Sequence, residues 1–196
     1  MIADSLGDVI LFLTLSPSVV VSCCTTVTDI MDRPTSTVPR SLLGTGYRPG
    51  LEILYFALNV GLIGLCAFFA WVKKWDRGQR GQRSLLTVTA LLSLVNALIF
   101  LLVQIESFAP CFMGLPYHHC LYCLWQYVPD TILLYLLFIL GTMAPGWAWL
   151  VEMVGRKGEA AAFIPRYLKA LFALAALTLS ASLLMTILHL VISPSL

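Results

Sequence analysis

The distribution of charge along the chain limits its folds more than any motif does. Positions 51–72, 84–105, 131–151 and 169–192 are apolar runs close to the roughly 20 residues a helix needs to cross a bilayer. A further run, 9–28, has no charged residue but is broken by Ser16-Pro17-Ser18 and is rich in β-branched residues. It reads either as a fifth span or as a segment lying in the interface.

The connectors between these runs are sorted by sign. Lys73, Lys74, Arg77, Arg80 and Arg83 fall in 73–83, and Arg156, Lys157, Arg166 and Lys169 fall in or just beyond 152–168. By the positive-inside rule both connectors are cytoplasmic. The segments 29–50 and 106–130 and the C-terminus are therefore expected outside. Only Arg33, Arg40 and Arg48 depart from this sorting, all in the first outer segment. Trp71, Trp75, Trp147 and Trp149 stand at the cytoplasmic ends, where interfacial anchors belong.

Composition agrees. Charged residues make up 11% of the chain, against about 25% in soluble domains, and 59% are hydrophobic. The expected fold is an all-α integral membrane protein, a bundle of four to five transmembrane helices with an irregular extracytoplasmic cap. A net charge of +2, sorted by position, implies no nucleic-acid partner. The first residues lack a positive n-region, and Val20-Val21-Ser22-Cys23 only loosely imitates a lipoprotein cleavage site, so the segment is expected to be retained.

Several features predict how the helices pack. Ala57, Gly61 and Gly64 form a small-residue face that lets another helix approach. Thr89, Ser93 and Asn96 share a face, and Asn96 at mid-membrane is expected to bond to another helix. Pro145-Gly146 predicts a bend or an interruption of its helix toward the inner end. Asp130 reads as the N-cap of the span that follows it. Thr178, Ser182, Met185 and His189 recur on one face of the last span. The repeated X-Pro steps of 29–50 predict an extended segment over the outer ends.

The chemistry concentrates in 111–125, which holds Cys111, His118, His119, Cys120 and Cys123. With Cys23, Cys24 and His189, five of six cysteines and every histidine gather on the outer side; only Cys66 lies within a span. Imidazole and thiolate are ligands for copper first and zinc second, and the expected metal set is His118, His119, Cys120 and Cys123 with Cys111 and His189. Adjacent histidines point different ways, so one of the two binds while the other contacts something else. Glu106 or Asp130 is expected to orient a histidine from outside the metal's own shell.

Cys120-Leu121-Tyr122-Cys123 also forms a C-x-x-C at the entry to an aromatic-rich helix. Over these four residues it is similar to the motif of the bacterial disulfide-forming oxidoreductases and the vitamin K epoxide reductases. The resemblance implies a membrane thiol-disulfide oxidoreductase with Cys120 and Cys123 as its catalytic pair and a quinone as electron acceptor. Those families use a second cysteine pair, for which Cys23-Cys24 or the single Cys111 are the candidates. A third reading is structural: Cys111 bridges Cys120 or Cys123, the outer aromatics form a belt, and the protein is a non-catalytic subunit of a membrane complex. Haem fits less well, since no C-x-x-C-H is present. No hydrolase triad, phosphate loop or repeated transporter half is recognisable. The expected partners are the lipid bilayer and either other membrane subunits or a periplasmic carrier protein, with the bacterial inner membrane as the expected location.

Overall fold

A computed structural model describes residues 34–71, 80–155 and 163–192. The 9–28 run, Cys23 and Cys24 lie outside the described residues. Among the described residues, four helices are long and apolar enough to cross a membrane. Helix α1 (Pro34–Leu43) is short and precedes the first of them, α2 (Tyr47–Trp71). Helix α3 (Arg80–Val103) passes through a π-helical turn, Gln104–Phe108, into α4 (Ala109–Met113). Helix α5 (Leu121–Tyr127) leads to α6 (Thr131–Val154), and α7 (Ile164–Ile192) ends the described chain.

The four long helices run up and down in turn. Each packs on two others, α2 on α3 and α7, and α6 on the same two, closing a ring in which all neighbours are antiparallel. One end of the ring carries the Cys/His segment together with α1 and the end of α7. Trp71, Trp147 and Trp149 mark the opposite end.

The polarity of the bundle is reversed from that of a water-soluble one. Asn59, Thr89, Ser93, Asn96, Ser182 and Thr186 are buried, while Leu91, Leu94, Leu98 and Leu177 are exposed. In lipid an outward leucine costs nothing, and an interior polar group must bond to its neighbours. It does so here between α2 and α3, between α3 and α6, and between α6 and α7. Asn59 and Asn96 form a reciprocal amide pair between α2 and α3, with Nδ2 to Oδ1 distances of 3.1 and 3.2 Å. Ser93 donates to the Thr142 carbonyl between α3 and α6. Ser182 donates to the Leu134 carbonyl between α7 and α6 at 3.1 Å, and Trp149 to Thr87 at 3.1 Å. The partner expected for Asn96 is thus another asparagine.

Other expectations need revision. Segment 29–50 is not extended over its described part, because Pro34 opens α1 where a helix needs no N–H, and α2 begins at Tyr47. The second span does not stop at 105 but runs on to Met113. Pro110 explains its widened turn: a proline lacks the N–H that would reach the Glu106 carbonyl and its ring crowds that oxygen. The Ala109 N–H bonds instead to Gln104, five residues back. Pro145 does not interrupt α6, which is continuous from Thr131 to Val154.

The Ala57, Gly61 and Gly64 face is exposed, and a Cβ at either glycine would meet nothing within 4 Å. Close approach occurs at Gly141 instead, where a Cβ would lie 2.5 Å from Leu179 Cγ and 2.9 Å from Thr178 Oγ1. Gly141→Ala is therefore expected to destabilise the detergent-solubilised protein by about 1–3 kcal/mol through overpacking. Gly61→Ala is expected to leave stability unchanged, and denaturant unfolding followed by circular dichroism compares the two.

Candidate metal centre

Local turn chemistry builds the segment between α4 and α6. Gly114 ends α4 in the left-handed conformation, φ 66° and ψ 23°. Its N–H bonds to the Cys111 carbonyl, and that of Leu115 reaches back to Pro110 at 3.0 Å, the paired closure of a glycine-terminated helix. The His118 N–H then bonds to the Leu115 carbonyl at 3.0 Å, a turn with Pro116 at its second position. His119 and Cys120 continue to α5, whose first turn places Cys123 three residues beyond Cys120 on the same side.

This path brings His118, Cys120 and Cys123 together. One ligand atom from each lies within 4.8 Å of the other two, and all three residues are half-buried. An ion at the centre of such a triangle is at most about 2.8 Å from every ligand atom, against ordinary bond lengths of about 2.0–2.3 Å to nitrogen and sulfur. Small side-chain rotations close that difference. Cys120 and Cys123 are thiols here, as are Cys111 and Cys66; no disulfide joins them among the described residues.

The two adjacent histidines have different surroundings. His119 is buried, and its Nδ1 lies 3.0 Å from the Tyr117 carbonyl. A carbonyl only accepts, so Nδ1 carries the proton and Nε2 is left as an acceptor. The Arg48 guanidinium faces that Nε2 at 3.4 Å, a long hydrogen bond between α2 and the site segment. Both ring nitrogens of His119 are thus engaged in holding the segment, and His118 is the histidine in the group with the cysteines.

Cys111 and His189 are outside that group. Cys111 sits half-buried on α4, packed against the core and within electrostatic reach of Glu52. The His189 ring packs edge-on to Phe112 at 4.9 Å, and its Nε2 lies 3.3 Å from Asp130 Oδ2. Asp130 therefore does face a histidine, though not one of the group, and its carboxylate makes no capping bond to α6.

Glu106 serves the segment from below. It is fully buried in the π-turn and accepts from Thr35 Oγ1 at 2.5 Å and from the Tyr47 hydroxyl at 2.6 Å, tying α1 and the start of α2 to α3. In the next position Ser107 donates to Glu52 of α2. Arg48 follows Tyr47 directly, so the clasp on Glu106 also places the guanidinium that holds His119. Sequence reasoning missed Arg48, although its exception to the sorting of basic residues marked it.

No protein-family model matches the chain, and comparison with curated proteins and with solved structures finds no match.

Arg48→Met leaves His119 Nε2 without its donor and loosens the site segment from α2. The expected result is faster alkylation of Cys120 and Cys123 in the metal-free protein, with the labelling rate of the buried Cys66 unchanged, read by mass spectrometry of timed quenches.

Proposed function

We propose that this membrane protein binds a transition metal ion through His118, Cys120 and Cys123 on its outward-facing surface, and holds it for transfer. The observation that carries the reading is the convergence of one imidazole and two thiols from three nearby positions of a single segment. Two thiolates and one imidazole form a soft, low-coordinate set. That favours copper in its reduced state, with zinc second if water or an incoming ligand completes a tetrahedron. The half-buried position supports transfer, since a partner's ligand has room to enter from the exposed side. Tyr117 and Leu115 are exposed beside it.

The sidedness follows from charge. In sequence the basic connectors adjoin Trp71 and Val154, whose helix ends lie opposite the site, and by the positive-inside rule this supports an outward-facing site, on the periplasmic face in a bacterial inner membrane. A periplasmic carrier or a larger membrane assembly is then the natural donor or recipient of the ion.

The full chain in detergent, loaded with copper under reducing conditions and desalted, is expected to retain about one ion per chain by mass spectrometry, consistent with a single site. Cys120→Ser and His118→Ala are expected to lose it, while His119→Gln and His189→Ala keep it. A protein that retains no metal and instead cycles a Cys120–Cys123 disulfide with quinone contradicts the reading.

A further inference from the structure

Most buried polar side chains in this bundle bond across to another helix or to their own backbone, but one group at the level of the π-turn does neither. The hydroxyl of Tyr135, both amide atoms of Gln104 and the indole N–H of Trp125 are buried without a hydrogen-bond partner among the described residues, whereas the neighbouring Tyr55 hydroxyl has that of Thr186 within reach. Tyr55 and Gln104 are wholly buried and Tyr135 nearly so.

These groups are neighbours. Tyr135 lies edge-on to Trp125, with ring centroids 5.6 Å apart, and edge-on to Phe100 at 5.1 Å. Tyr55 is 6.0 Å from the same Phe100 ring, and the two tyrosines are close enough to interact electrostatically. Gln104 is four residues beyond Phe100, one turn nearer the site end. Helices α5 and α6 and the π-turn each supply one member, and α2 supplies Tyr55 beside them. A buried polar group without a partner costs about 1–3 kcal/mol, and three such side chains at one place are hard to reconcile with a fold that satisfies its other interior amides and hydroxyls.

We infer that Gln104, Trp125 and Tyr135, next to Tyr55, form a binding seat for an uncharged, flat, carbonyl-bearing lipid-soluble molecule of the quinone class. The set is rich in donors, with the Tyr135 O–H, an indole N–H and an amide NH2, against one dedicated acceptor, the Gln104 oxygen. It contains no charged side chain, and the Phe100 ring stands between its members. A water molecule brings two protons of its own and fits a donor-rich set poorly; a pair of ring carbonyls accepts from both sides and brings no proton. The inference does not rest on the metal reading, although α5 carries both Cys123 and Trp125.

The test uses the full chain in lipid nanodiscs with decylubiquinone as the probe, and decylbenzene as a competitor lacking the carbonyls. Saturable binding of about one quinone per chain above the empty-disc background is expected, with no displacement by decylbenzene. Tyr135→Phe and Gln104→Leu are each expected to weaken it about 10-fold, the equivalent of one hydrogen bond. Trp71→Phe, at the exposed opposite end, is expected to bind as the parent does. Folding is checked independently: the Tyr135 hydroxyl has no protein partner, so the quinone-free Tyr135→Phe protein is expected to unfold at the same temperature or higher. Absence of saturable binding by folded protein, equal affinity in both seat variants, or a lowered unfolding temperature for Tyr135→Phe overturns the inference, the last by showing that the hydroxyl serves the fold through internal water.

Discussion

A polar group inside a bundle in lipid has no water to fall back on, and the geometry of this protein depends on where such groups find partners. The reciprocal Asn59–Asn96 pair sets the register of α2 against α3. Interhelical bonds of this kind contribute roughly 0.6–2 kcal/mol each, little beside the packing energy of the bundle. Their value is directional: only one sliding position of the two helices satisfies both amides. That position also brings the first turns of α2 level with the π-turn, where Ser107 meets Glu52 and Tyr47 meets Glu106.

From there the constraint passes to the site. Pro110 widens the turn before it, and the buried carboxylate in that turn is held by hydroxyls from α1 and α2. Arg48, next to Tyr47, reaches His119. His119 in turn clamps the Tyr117 carbonyl, beside the residue that joins Cys120 and Cys123. Each link is a modest hydrogen bond. Together they bring one imidazole and two thiols within 4.8 Å of one another on a segment that is anchored at both ends by helices.

Much of the scaffold was legible in the sequence because lipid imposes simple rules on length and charge. Apolar runs marked the four long helices found among the described residues. The Cys/His end was harder to read. X-Pro steps argue against helix in general, yet a proline at the first helical position is favourable, and that is where Pro34 stands. Likewise a small-residue face says that close approach is allowed without saying that it occurs; the bundle makes its tight contact at Gly141 and leaves Gly61 and Gly64 outward. For the site, the ligand types and the expectation that adjacent histidines diverge came from sequence. Which histidine faces the cysteines did not, because it depends on Arg48, some 70 residues away in the chain and brought near only by helix pairing.

The coordination shell itself is the most direct measure of the central claim. X-ray absorption spectroscopy on the copper-loaded protein is predicted to show a low-coordinate ion with about two sulfur neighbours and one imidazole nitrogen, at distances near 2.3 and 2.0 Å. A shell made only of nitrogen and oxygen, or one with two imidazoles and a single sulfur, would contradict the assignment of His118, Cys120 and Cys123 as the metal site.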